Sequence, residues 1–181
     1  MTTAAQDALL LARVVEGDHE AFNQIMRNHE DRVFSVCLRL MGNREQALDA
    51  TQETFLTAFR KAGQFKGNSA LGTWIYRIAV NTCYDHLRRQ KRRRTDLIPE
   101  HLDPTDHSAQ EALDSAALRP EIRRALATLP PDFRAAVVLS DMEGMALGEV
   151  AEVLGVPVGT VKSRVFRGRR QLARELGNRN Q

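Results

Sequence analysis

The chain has 181 residues, 43% hydrophobic and 27% charged, with a net charge of +3; that length allows one domain or two small ones with modest cores. The two cysteines, Cys37 and Cys83, lie far apart in apolar surroundings and form no CxxC pair, which argues against a disulfide framework or a thiolate metal site and suits buried free thiols. The N-terminal stretch lacks a basic leader and no segment approaches the roughly 18 apolar residues that span a bilayer, so a cytoplasmic protein without membrane insertion is expected.

In chain order almost every segment reads as helix. Residues 7–16 are an amphipathic start broken by Gly17 and Asp18. Asp18 caps a second helix that turns Phe22, Ile25 and Met26 inward, and a third follows from about Glu30 to Met41 with Val33, Val36, Cys37 and Leu40 on one face. Gly42 supplies the stop and Asn43 the next cap. The fourth helix, about Arg44 to Ala62, has two faces. Leu48, Phe55 and Phe59 form the apolar one. Asp49, Gln52, Glu53 and Arg60 share the other.

The stretch from Phe65 to Arg94 then opens with a loop carrying Gly67, Asn68 and Ser69. It continues as one long helical pattern with Trp74, Tyr76 and Tyr84 and closes on RRQKRRR, six of whose seven residues are cationic. Aromatic faces among cations suit a single nucleic-acid strand, whose bases stack on rings while its phosphates pair with Arg and Lys. Ordinary core packing and a solvated helix end would account for the same residues about equally well.

Charge divides the chain further. Residues 1–94 carry 15 basic and 10 acidic side chains, residues 95–118 six acids and no Lys or Arg, and residues 119–181 11 basic and 7 acidic. The acidic strip also holds two prolines and no sustained periodicity, so it reads as a flexible linker. Its His101 and His107 have no neighbouring ligands and are expected at the surface.

Helical pattern returns near Leu118. Pro120 suits a first turn, and Pro130 and Pro131 separate one helix from the next, which Gly144 ends. Leu147 to Leu154 is a short helix, Gly155 a left-handed turn, and Pro157 opens a helix to about Leu176: the layout of a helix-turn-helix. At about 100° per residue, Val158, Val161, Val165, Leu172 and Leu176 fall on one side of that helix. Thr160, Lys162, Ser163, Phe166, Arg167 and Arg170 spread over the other. Residues 157–181 carry a net +6, and such a face fits the major groove, where Arg and Lys address guanine edges or phosphates and Phe a thymine methyl.

Five motifs stand in sequence: GDHEAFNQIM, DATQETFLTAFRK, TWIYRIAVNTCYDHLRR, LPPDFRAAVVLSDMEGM and AEVLGVPVGTVKSRVFRGRRQL. Together they resemble an extracytoplasmic-function (ECF) sigma factor of the sigma-70 family of bacterial RNA polymerase. The resemblance implies an all-α chain of two small helical domains, region 2 over residues 1–94 and region 4 over 118–181, joined by the acidic linker 95–117. It gives Asp49, Gln52 and Glu53 the role of docking on the clamp of the polymerase β′ subunit. It gives the loop Phe65, Lys66, Gly67, Asn68, Ser69, Ala70, with Trp74 and Asn81, the capture of an unstacked base of the −10 element, and Arg88 and Arg89 the phosphates of the melted strand. Thr160, Lys162, Ser163, Arg164, Phe166, Arg167 and Arg170 would read the −35 duplex, with the β flap as region 4's polymerase partner.

An anti-sigma factor is an expected partner. No catalytic group, metal or cofactor is expected: no GxxxxGK loop, HExxH or carboxylate cluster occurs. Three positions depart from the family's usual pattern. Ala50 follows the acid of the clamp motif where Leu is usual, Leu147 and Gly148 replace an aromatic and an acid, and Gly168 interrupts the recognition helix at a cost of about 1 kcal/mol relative to Ala. The rival reading is a stand-alone helix-turn-helix regulator, which leaves the N-terminal block unexplained.

Overall fold

The computed structural model describes residues 4–96 and 119–177, and those residues form helices joined by short turns. The N-terminal unit comprises α1 (Ala4–Val15), α2 (His19–Met41), α3 (Arg44–Arg60), a single 3₁₀ turn (Ala62–Gln64) and α4 (Leu71–Asp96). The C-terminal unit comprises α5 (Pro120–Thr128), α6 (Pro131–Val137) with a π-type extension over Val138–Met142, α7 (Leu147–Leu154) and α8 (Val158–Gly177). Among the described residues no helix is long and apolar enough to cross a membrane.

Local chemistry sets the boundaries. Asp18 accepts from the Glu20 and Ala21 amides at 2.9 and 3.1 Å, and its other oxygen holds Arg13 of α1. Gly42 takes φ 71° at the end of α2, and Asn43 accepts from the Gln46 amide at 3.0 Å to start α3. The expected break between a second and a third helix near Glu30 does not exist. Residues 27–30 are polar but hold neither Gly nor Pro, and Phe22, Ile25, Val33, Val36, Cys37 and Leu40 form one buried stripe along a single 23-residue helix.

The core of the N-terminal unit lies among α2, α3 and α4, with Val36, Cys37, Ala47, Ala50, Ala79, Val80 and Cys83 fully enclosed. The two thiols are free, and they meet side chain to side chain across α2 and α4. Ala50 is therefore a packing residue, not a missing surface contact. A Leu there would have to enter a closed helix–helix seam.

In the C-terminal unit Leu126, Leu129, Val138, Leu139, Val150, Val153 and Val161 are buried. Of the apolar side expected on α8, Val161 and Val165 are buried and Leu172 half-buried, whereas Val158 and Leu176 stay largely exposed beyond the ends of the seam. Gly168 has a clear structural cause. A Cβ there would come within 2.6 Å of Val137 Cγ2, so glycine lets α8 lie directly on α6, and the helix runs unbroken through it. Arg134 sits inside this unit, donating to the Ala127 and Leu129 carbonyls at 2.9 and 3.0 Å, and burial lowers its pKa.

The two units pack on one another, α7 against α4 and α5 and α6 against α2, so their buried side chains form one continuous cluster. α4 continues to Asp96, two residues past the boundary expected from sequence. Residues 97–118, which hold most of the expected linker with His101 and His107, lie outside the described residues.

Candidate nucleic-acid interface

The loop between the 3₁₀ turn and α4 is open to solvent. Lys66, Gly67, Asn68 and Ala70 are exposed, Phe65 and Ser69 half-buried, and Gly67 adopts φ 70°, a left-handed value that a side chain would strain. The Ala70 carbonyl accepts from the Trp74 amide at 3.1 Å and begins α4. The Phe65 and Trp74 rings meet with centroids 5.3 Å apart and planes at 59°. Trp74 is thereby held at the loop's edge with part of its surface free.

Steps of four and three from Trp74 lead along α4 through Ile78, Asn81, Asp85 and Arg88, one stripe at the helix surface. Asn81 is exposed on it, and Arg88 and Arg89 project near the cationic end, although Arg88 is ion-paired with Asp85. The stripe offers stacking surface, one amide and cations in the order a strand of bases and phosphates would need.

Asp49 and Gln52 are exposed on α3. Glu53 is half-buried: its carboxylate bonds His86 Nε2 of α4 at 2.7 Å, so it ties two helices together as well as bordering the face. Leu48 was expected to point inward with Phe55 and Phe59. Phe55 does, and Phe59 packs its ring on Phe22 at 5.0 Å and on His19 at 5.6 Å. Leu48, however, is 43% exposed, and with Leu56 at 55% it forms an apolar stripe through Gln52. Beside it a groove of about 430 Å³ is lined by Phe22, Met26, Phe55, Leu56 and Phe59. Leu56 escaped sequence reasoning because an i, i+4, i+8 series of Leu48, Gln52 and Leu56 mixes polar and apolar types.

The free face of α8 carries Lys162, Ser163, Phe166, Arg167 and Arg170, all exposed, with Thr160 half-buried at the first turn. Phe166 is 67% exposed, an unusual position for a large aromatic without a partner. The turn before it is built as expected: Gly155 has φ 64°, and Glu149 accepts from the Ala146 amide at 2.9 Å at the start of α7.

Arg164 departs from expectation. It is half-buried, bonds Asp132 Oδ2 at 2.8 Å, and lies on the side facing Tyr84 of α4. Burial, and then the Asp132 carboxylate, push the Tyr84 phenol well above its ordinary pKa. Arg169, absent from the sequence-based set, is exposed but fixed by two bonds to Asp141 at 2.8 and 2.6 Å, which hold that carboxyl below its ordinary pKa. Two cationic surfaces thus emerge on one chain: a loop and stripe with free aromatic area, and a straight helix face with donors and one aromatic.

Comparison with known proteins bears on what these surfaces meet. Residues 25–93 match sigma-70 region 2 and residues 119–172 match sigma-70 region 4. The chain is 36% identical over 186 residues to the RNA polymerase sigma-H factor of Pseudomonas aeruginosa, covering 97% of this chain and 96% of that protein. It is 41% identical over 174 residues to the ECF RNA polymerase sigma factor SigM of Mycobacterium tuberculosis, covering 96% and 86%. It is also 40% identical over 162 residues to the ECF RNA polymerase sigma factor SigE of Mycolicibacterium smegmatis, covering 86% of this chain and 63% of that longer protein. Among solved structures, CnrH in complex with the cytosolic domain of CnrY superposes with a TM-score of 0.72 at 25% identity, over 96% of this chain and 98% of that one. The sigma factor RpoE in complex with the anti-sigma factor NepR from Bartonella quintana gives 0.68 at 25% identity, over 86% and 96%.

Proposed function

The chain belongs to the ECF sigma factors of the sigma-70 family, and from that membership we propose how its two surfaces divide the work of promoter recognition. It is a promoter-specificity factor of bacterial RNA polymerase, acts under anti-sigma control, and carries out no covalent chemistry itself. In our reading, residues 1–94 act as region 2, 95–117 as the connector and 118–181 as region 4, in the cytoplasm.

Region 4 enters the major groove at the −35 element with α8. Lys162, Ser163, Phe166, Arg167 and Arg170 make the contacts, with Thr160 at the helix start, and Arg164 joins only after leaving Asp132. Region 2 takes an unstacked base of the −10 element into the loop of Phe65 to Ala70, against Trp74 and near Asn81. Arg88 and Arg89 follow the strand's phosphates. Asp49 and Gln52, with Leu48 and Leu56 beside them, meet the β′ clamp, while Glu53 acts through His86 and α4. The β flap is region 4's partner. Stacking on an aromatic contributes about 1–3 kcal/mol per base, so a few such contacts offset local unpairing.

One observation carries this reading: a single chain exposes both an aromatic loop edge suited to a strand and a basic helix face suited to a duplex. Run-off transcription with core polymerase on promoter fragments from the source genome tests it. Discrete transcripts that require the protein are expected, and their upstream sequences define both elements. Failure to bind core polymerase would overturn it.

A further inference from the structure

The contacts between the two units are polar and charge-assisted. The Glu143 carboxylate of the C-terminal unit is nearly enclosed, its side chain 7% exposed; it pairs with Arg39 of α2 and lies 3.8 Å from Arg32 Nε. Tyr76 of α4 borders the same carboxylate. Arg134 reaches out of its own unit to donate to the Leu40 carbonyl at 2.6 Å, at the open C-terminal end of α2. Arg77 of α4 donates to the Glu152 carbonyl of α7 from Nε at 2.9 Å and Nη2 at 2.5 Å.

We propose that these contacts form an intramolecular latch, centred on Glu143 between Arg39 and Arg32, which holds the sigma factor in a closed state unable to engage both promoter elements. The proposal rests on the promoter reading above. Elements centred at −35 and −10 are separated by 25 base pairs, roughly 85 Å of duplex at about 3.4 Å per pair. A compact chain of this length has a radius of gyration of about 16 Å and a diameter of roughly 40 Å. The closed body cannot bridge that distance, so region 4 must leave region 2.

The latch does not work by covering the DNA faces. Phe166, Arg167 and the Phe65–Ala70 loop remain accessible in the closed state. What it withholds is separation, together with Arg164 and Tyr84, which lie at the seam. The chemistry suits a contact that must open. Removing one partner of an enclosed ion pair leaves the other charges unpaired in a poorly solvated place, so the closed state depends steeply on Glu143. Both arginines regain water when the units part.

The test uses the full chain with spin labels on cysteines introduced at the exposed positions Gln24 and Arg174, the native thiols being buried. The parent should give one short, narrow distance distribution. Glu143→Gln and Arg39→Glu should each raise the ratio of open to closed chains by about tenfold or more, and the exchange Arg39→Glu with Glu143→Arg should return most chains to the short distance. Unchanged melting and circular dichroism of Glu143→Gln establish that each unit is still folded. A parent that is already open, or single variants that are folded and still closed, overturn the latch.

Affinity for core polymerase gives the second readout, since a closed population lowers apparent affinity by the open fraction. Glu143→Gln should bind core several-fold more tightly. An opened variant with unchanged core affinity overturns the inhibitory role. An opened variant that binds core tightly yet yields no transcript counts against the promoter reading and leaves the latch standing.

Discussion

The loop of region 2 and the helix of region 4 are both cationic and both carry an exposed aromatic, yet they are supported in opposite ways. The loop has no secondary structure over Phe65–Ala70 and is anchored by one ring contact, Phe65 on Trp74. The α8 face belongs to a 20-residue helix seated on α6 so closely that a single glycine makes room for it. A duplex groove has fixed dimensions and rewards a rigid insert, whereas an unstacked base arrives in many orientations and rewards a surface that adapts. Damage to the two should therefore separate: packing changes should silence region 4, and side-chain changes should silence the loop.

The largest expected effect is at Gly168. Gly168→Val places carbon within 2.6 Å of Val137 Cγ2 and 3.5 Å of the Phe133 carbonyl, so α8 must move off α6. A loss of about 1–3 kcal/mol or more in region 4 stability is expected, as for other overpacked seams. Binding of −35 duplex should collapse while binding of −10 single strands persists, measured by thermal melting and fluorescence anisotropy. Because the offending atom is one methyl, Val137→Ala should rescue Gly168→Ala in large part. A fully stable Gly168→Val with normal duplex binding would remove the basis for calling region 4 rigid.

Side-chain substitutions come next. Trp74→Ala should weaken −10 strand binding by about 1–3 kcal/mol and leave duplex binding alone. Arg167→Ala should cost a similar amount on −35 duplex if the guanidinium meets a base edge. If it meets a phosphate, the salt dependence should fall by about one unit with little change in sequence preference. Arg164→Ala should cost less than Arg167→Ala, because in the free protein Arg164 already satisfies Asp132 at 2.8 Å and must break that pair to reach DNA. Equal losses at both positions would mean that the pair is not maintained in solution.

How much of this could be read from the chain depends on whether the cause is local. Caps and stops at Asp18, Gly42, Asn43 and Gly155 are decided by a residue and its next few neighbours, and they stand where the sequence places them. The free face of α8 follows from helical period alone. What escaped depends on partners distant in sequence. Glu53 is claimed by His86, 33 residues on, and Arg164 by Asp132, 32 residues back. Ala50 resembles a lost surface contact until α2 and α4 close over it, and Gly168 resembles a helix defect until α6 lies against it. The false break near Glu30 came from reading four polar residues as punctuation, although a long amphipathic helix crosses such a run whenever its apolar stripe resumes in phase.

The smallest effect separates the two regions by pH. His29 of α2 lies 3.4 Å from Asp7 of α1, and Arg32 is also near it. Burial lowers its pKa below the ordinary 6.5; Asp7 opposes that shift and Arg32 adds to it. A histidine with a lowered folded pKa binds its proton more readily when unfolded. Its contribution to stability is therefore complete above about 6.5 and declines as pH falls from there toward the folded pKa. Residues 119–181 contain no histidine. The resolved acid there, Asp141, is held below its ordinary value of 3.8 by Arg169, so its contribution persists until pH falls through that lower range. Between pH 7.5 and 5.5, amide exchange should therefore accelerate in α1 and the adjoining part of α2 while α8 keeps its protection. His29→Gln should flatten the response of α1. Equal acceleration in α8 would mean that acid acts on the shared interface, and that the two regions do not open independently.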